Sequence, residues 1–288
     1  MKMVTKLLPP SEDSIELICR IFVERYWYKA FYDKLKPDLI PQIELYIKSQ
    51  GDPSLIIPLD LANYTDSIEE ASRRKVSLIG LYSPSIDKLP YLQLEQMRKK
   101  NGLVICPSCG EPGRPRTLDH YLPKDVYPEL SVVLINLVPM CDWCQGEKLA
   151  DYITEDGNKR YIHPYFDEVD RPLFSIAFNP PYVTPRLSIS INNDLPPGLK
   201  HLVRLHLEGV SLLERFTEYF KTVFRNILRK AKECRQPGAT NFRNLIEQFL
   251  DMASIHSKNS WDAVIYRSIL ADLNMMNYLE NDELPEFL

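Results

Sequence analysis

No stretch of this chain approaches the run of about 18 apolar residues that a membrane-spanning helix needs, so no span is expected. Glycine is scarce, 10 residues against 23 prolines, which argues for stiff connections between elements. Positive charge is not in excess either. Lys and Arg number 35 against 39 Asp and Glu, a formal net charge of -4. A general electrostatic pull on nucleic acid is therefore missing, and any such binding must come from a local basic patch. The opening MKMVTKLLPPSED lacks the apolar core of a signal peptide. The six cysteines are not spread as a disulfide framework: four form two tight pairs, while Cys19 and Cys234 stand alone. The expected setting is a reducing cytoplasm.

What is present describes a globular chain. Hydrophobic residues make up 44% and charged residues 26% of 288 positions, enough for one large or two ordinary domains. No internal repeat or low-complexity segment interrupts it. Ser11 is a candidate helix cap, and Leu17, Ile18, Ile21, Phe22 and Tyr26 recur at helical spacing toward Pro37. Tyr26, Trp27, Tyr28, Phe31 and Tyr32 read first as core aromatics and second as a platform on which bases stack. Residues 43–48 read as a short helix and 51–64 as a loop with a little strand. A helix starting near Asp66 and another over LPYLQLEQMRKKNG lead to the centre of the chain.

Beyond the centre, PLFSIAF and RLSISIN alternate apolar and polar residues and predict two strands. Helices follow to the end, the last two over NFRNLIEQFLDMASIHS and SWDAVIYRSILADLNMMNYLEN. In the longest, Leu212, Phe216, Tyr219, Val223 and Ile227 make the apolar stripe. Lys221, Arg225, Arg229 and Lys232 make a basic ridge on another face. That ridge is either a solvated surface or a track for phosphates.

The central segment carries the chemistry. CPSC and CDWC each place two thiols on a tight turn: Cys106 with Cys109, and Cys141 with Cys144. Four soft sulfurs suit a tetrahedral Zn²⁺ and leave no open position, so the expected site is structural. The 31 residues between the pairs exceed the spacing of compact zinc modules, so something sizeable lies between them. There TLDHYLPK sets Asp119 beside His120. Neighbours on an extended strand point to opposite sides, so one can face a hard cation such as Mg²⁺ and the other a water. An imidazole can take a proton from water near neutral pH. Asn136 follows 16 residues later, placed to orient the loop or the histidine.

Together Cys106/Cys109, Asp119-His120 with Pro123-Lys124, Asn136-Leu137-Val138-Pro139, and Cys141/Cys144 with Gln145 and Lys148 resemble the HNH endonucleases. The resemblance is to the ββα-metal type with a four-cysteine zinc knuckle and covers about 50 residues. It implies a DNA phosphodiester hydrolase with His120 as general base and Asp119 as ligand of a catalytic Mg²⁺ or Mn²⁺. Asn136 would position the histidine-bearing loop, and Lys124 and Lys148 would contact phosphate. Arg225 and Arg229 are further candidates for nucleic-acid contact. The family usually has Asn or His directly after the last cysteine, where this chain has Gln145. Gln145, or His163 from IHPYFDE with Asp167 behind it, would then complete the metal shell.

The fold expected is mainly helical with a small ββα-metal core and a short β segment, α+β overall. It is read as residues 1–102 helical, 103–165 the zinc-stabilised core, and 166–288 the β segment with C-terminal helices. Proteins of this build resemble effector nucleases of bacterial defence, which implies a partner such as an ATPase subunit. Two other readings stand beside it: a zinc-stabilised nucleic-acid-binding or scaffold protein with a decayed centre, motivated by Gln145, and a structural zinc protein with no nucleic-acid role.

Overall fold

Leu17, Ile18, Ile21 and Phe22 fall on one side of a 3.6-residue turn, and in a computed structural model describing residues 6–286 they are buried on helix α1, Ser14–Glu24. Each such side chain contributes about 1.5–3 kcal/mol when fully buried. Asp13 rather than Ser11 caps α1, its carboxylate accepting from Glu16 N at 2.7 Å. The chain outside residues 6–286, including the ends of the 1–102 and 166–288 stretches, lies outside the described residues.

Helix α2, Lys29–Lys48, departs from expectation. The sequence reads one helix from Ser11 to near Pro37; instead α1 ends at Glu24, and α2 runs through Pro37 and Pro41 and absorbs the short helix read at 43–48. Each proline removes one backbone bond and costs about 3 kcal/mol in a helix interior. Here both prolines are exposed, as is Asp33, so the orphaned Asp33 and Pro37 carbonyls lie on the wet side. The opposite face buries Phe31, Tyr32, Leu35, Leu39, Ile43 and Tyr46, and that packing outweighs the loss. The aromatic cluster divides. Phe31 and Tyr32 are core residues, whereas Tyr26 is 83% and Trp27 76% exposed.

Residues 51–64 form a loop that closes with a 3-10 turn at Leu61–Tyr64. Helix α3, Ile68–Gly80, is capped by Ser67, one residue beyond the expected Asp66. Helix α4, Tyr91–Lys99, follows. Strand β1, Thr117–His120, pairs antiparallel with β2, Leu137–Met140, with Asp119 opposite Val138 and His120 opposite Leu137. Helix α5, Asp142–Lys148, comes directly after β2, with Cys141 as its cap.

Strands β3, Phe174–Asn179, and β4, Arg186–Ile191, pair as the sequence predicts, antiparallel and in register from Phe174↔Ile191 to Asn179↔Arg186. Helices α6, Pro197–Gly209, and α7, Leu212–Cys234, follow. The stripe of α7 runs through Phe220 and Phe224, one residue on from the expected Tyr219 and Val223. Steps of four, four, four and three from Leu212 keep that stripe under one face. After α8, Phe242–His256, the expected last helix is two. Asp272 ends α9, Trp261–Ala271, and its carboxylate caps α10, Leu273–Asn281, at Asn274 N and Met275 N.

Among the described residues the chain is about half helical with two small antiparallel sheets, an α+β composition. Its contacts sort into two compact units. One holds Leu7–Leu103 with Arg114–Asp167, and so α1–α4, β1, β2 and α5. The other holds Val104–Gly113 and the chain from Glu168, and so β3, β4 and α6–α10. In the second unit Val104–Gly113 is seated on the C-terminal helices. Trp261 Nε1 donates to Cys109 O at 2.7 Å, Trp261 N donates to Gly110 O at 3.1 Å, and His206 holds Ser108 O at 2.7 Å. A Cβ on Gly110 would strike the Asn259 carbonyl, and its φ of +81° already requires glycine. Among the described residues no helix is long and apolar enough to cross a membrane.

Candidate active site

β1 ends on the Asp-His pair, and the strand's alternation sends the two side chains to different neighbours. His120 is 7% exposed. Its Nε2 lies 2.9 Å from Ser131 O. A carbonyl only accepts, so Nε2 carries the proton and Nδ1 keeps its lone pair. The ring packs at 4.5 Å on that of Tyr82, whose hydroxyl donates to Leu118 O at 2.7 Å. Burial pushes the imidazole down to about 4, with Lys124, Lys148 and Arg98 adding to the fall and the Ser131 carbonyl opposing it. The ring is therefore neutral at working pH, with Nδ1 ready to accept a proton.

Asp119 is 5% exposed. Burial raises its carboxyl above the usual range, and the ammonium of Lys148 offsets this only in part. Lys148 Nζ lies 2.9 Å from Asp119 Oδ2 and donates to His120 O at 3.0 Å. Lys148, expected on sequence grounds to contact phosphate, is thus only 1% exposed and turned inward. Gln145, half-buried on α5, donates its amide to Leu118 O at 3.4 Å, one residue before Asp119. A carboxylate and an amide carbonyl are the oxygen donors that a hard cation takes, so these two fit Mg²⁺ or Mn²⁺.

Asn136 is wholly buried, and all its hydrogen-bonding capacity is used. Its Oδ1 accepts from Leu122 N at 2.8 Å and from the Tyr46 hydroxyl at 3.1 Å. Its Nδ2 donates to Leu122 O at 3.0 Å and Leu130 O at 3.3 Å. The asparagine clasps the turn that follows His120. Tyr46 in turn meets His163 Nε2 at 2.9 Å, while His163 Nδ1 accepts from Tyr165 N at 3.3 Å. The proton on His163 is therefore on Nε2, and donation runs one way: His163 to Tyr46 to Asn136. His163, considered above as a further metal ligand, has both ring nitrogens engaged in this chain. Asp167 accepts from its backbone N at 2.6 Å and pairs with Lys159. Gly51 makes room: a Cβ there would come 2.8 Å from the His163 ring, at a φ of +71°.

The four cysteine sulfurs lie within 4.8 Å of one another. In a tetrahedral site with bonds of about 2.3 Å, sulfurs stand about 3.8 Å apart, so the set fits Zn²⁺. Cys141 Sγ accepts from Cys144 N at 3.5 Å, and Arg215 Nη1 reaches Cys109 Sγ at 3.8 Å. Arg215 is anchored on Glu111 at 2.5 Å.

Lys124 is half-buried, its Nζ 5.2 Å from the centre of the Tyr82 ring. Arg225 and Arg229 are exposed on α7 in the second unit, with Lys232 on the same helix; Lys221 pairs with Glu218 at 2.6 Å. Sequence reasoning missed Tyr46, Tyr82, Ser131, Arg98 and Arg215. Tyr46, Tyr82 and Arg98 are brought to the site by the fold alone. Only Ser131 lies within the motif, and it acts through its backbone.

No protein-family model matches the chain, and no solved structure matches it significantly. Two curated proteins are similar over part of it. Protein ea31 of Escherichia phage lambda is 43% identical over 63 residues, 22% of this chain and 21% of that protein. Septu protein PtuB of Bacillus thuringiensis is 36% identical over 81 residues, 27% of this chain and 30% of that protein. The chain thus spans less than a third of the length of either relative it matches.

Proposed function

We propose that this chain is a metal-dependent endonuclease of the HNH, ββα-metal type that hydrolyses phosphodiester bonds in DNA. The observation that carries the reading is His120, at the end of β1 with Nε2 committed to Ser131 O and Nδ1 left as a base beside Asp119. The antiparallel pair β1–β2 followed at once by α5 supports it, as does the close set of four thiols. His120 Nδ1 takes the proton of the attacking water as the oxygen closes on phosphorus. Asn136, fixed by four hydrogen bonds, holds the turn that carries the histidine. Asp119 and Gln145 would hold Mg²⁺ or Mn²⁺, which when bound supplies charge stabilisation to the phosphorus centre and the leaving oxygen. Cys106, Cys109, Cys141 and Cys144 would hold a structural Zn²⁺. The name of the Septu relative belongs to a multi-protein defence system, which supports a role in defence and a partner protein, an ATPase subunit being the expected kind.

The test is nicking of supercoiled plasmid with Mg²⁺ or Mn²⁺ by the native chain beside His120→Ala. Cleavage by the native chain alone supports the reading; equal cleavage by both sinks it. A second reading, a nucleic-acid-binding or scaffold protein with a decayed centre, has one observation in its favour. The Lys148 ammonium already neutralises the carboxylate that would hold the cation. Under that reading Mg²⁺ leaves the thermal stability of the native chain unchanged.

A further inference from the structure

Two cations stand beside His120 without a carboxylate. The Arg98 guanidinium, from the last turn of α4, lies 4.6 Å from the centre of the Tyr82 ring, and Lys124 Nζ lies 5.2 Å from it. The same ring packs on His120 at 4.5 Å. Both cations are half-buried, and among the described residues neither is in an ion pair. The cations of the following stretch differ. Lys148, Lys159 and Arg160 each sit against an acid: Asp119, Asp167 and Asp151. Arg98 and Lys124 have exchanged part of their hydration for an aromatic surface and no anion. That is an arrangement whose missing partner is an anion brought by a ligand. Tyr82 is fixed at its far end by the Leu118 carbonyl of β1, so both charges are tied to the strand that carries His120.

We propose that Arg98 and Lys124, held on the Tyr82 ring beside His120, form the seat of the scissile phosphodiester, with Arg98 gripping its non-bridging oxygens. This rests on the nuclease reading and adds to it a residue from outside the central motif. The planar guanidinium offers two parallel N–H groups that match two phosphate oxygens, which an ammonium cannot do. Lys124 supplies a second, less directional charge. The pair places local positive charge at the reacting centre of a chain that has no net excess of it.

The experiment uses the full chain with His120→Ala, so that binding is read without cleavage. A fluorescein-labelled DNA duplex is titrated by anisotropy across a range of salt, with Arg98→Ala or Arg98→Lys added. The proposal expects Arg98→Ala to weaken binding about tenfold and to lower the slope of log affinity against log salt by about one. Arg98→Lys restores the slope but only part of the affinity. With His120 intact, Arg98→Lys lowers kcat more than it raises KM, because the fork matters most as charge builds on the phosphate oxygens. Lys124→Ala lowers the slope in the same way. Unchanged affinity and slope in Arg98→Ala, with plasmid nicking by the native chain intact, overturns the seat and leaves the nuclease reading standing. No DNA binding and no nicking by the parent chain overturns both.

Discussion

Lys148 Nζ and Asp119 Oδ2 lie 2.9 Å apart with both side chains almost wholly buried. An isolated carboxylate at that depth would be costly, and the ammonium is its counter-ion. Replacing Lys148 by Met leaves the carboxylate without one. Breaking a buried pair costs about 3–5 kcal/mol, so the expected result is a large fall in Tm. Mg²⁺ should recover part of that loss in Lys148→Met and none of it in Lys148→Met with Asp119→Asn. Recovery in both variants would place the cation elsewhere.

The relay from His163 through Tyr46 to Asn136 predicts that Tyr46→Phe harms the site more than it harms the fold. The variant keeps the ring in the core but removes the donor to Asn136 Oδ1 and the acceptor for His163. Two buried polar groups are left short of partners, at about 1–3 kcal/mol each. Nicking should fall at least tenfold under conditions where circular dichroism still reports a folded chain. Gly51→Ala should give the same signature, because its Cβ presses on the His163 ring.

The protonation of His120 sets a pH window. Its folded value of about 4 lies below the ordinary 6.5. As a base it stays neutral, so the acid limb of nicking should be flat from pH 7 to about 5 and fall only near 4. Stability responds over a wider window. The unfolded chain binds the extra proton between 6.5 and about 4, so stability falls as pH drops through that window and levels below it. The shift corresponds to about 3 kcal/mol for this residue. His163, also lowered by burial, acts in the same direction. Denaturant melts at pH 7, 5.5 and 4 would check the slope; a rise in stability on acidification would contradict it.

The thiol cluster predicts that metal and fold are linked. Four deprotonated sulfurs within 4.8 Å repel one another unless a cation holds them. Strong chelation should release close to one Zn²⁺ per chain and lower Tm steeply, and Cys144→Ser should do the same without chelator. Full stability in a chain that elemental analysis finds free of zinc would argue against the site.

The short-range parts of this molecule were legible in the sequence. Leu17, Ile18, Ile21 and Phe22 announce α1 because periodicity is local, and PLFSIAF and RLSISIN announce the β3–β4 pair for the same reason. The passage of α2 through Pro37 and Pro41 was not legible. Local rules stop a helix there, and only the buried face opposite the prolines reverses the outcome. The exposed Tyr26 and Trp27 misled in the other direction: they continue the apolar spacing of α1 past its actual end at Glu24. In the candidate site, Asp119, His120 and Asn136 are readable because they sit within one motif. Tyr46 and His163 meet across 117 positions, and Arg98 from α4 and Tyr82 from the turn after α3 reach His120 from segments that share no motif with it. No sequence spacing records contacts made by tertiary packing.

The central claim is that His120 is the base of a metal-dependent DNA cleavage, and one measurement tests it most directly. Supercoiled plasmid is incubated with the zinc-loaded chain and Mg²⁺ or Mn²⁺, beside His120→Ala and an EDTA control, with folding of both proteins checked by circular dichroism. The account predicts nicked or linear DNA from the native chain alone and none with EDTA. Intact plasmid in every lane, or equal nicking by His120→Ala, would contradict it.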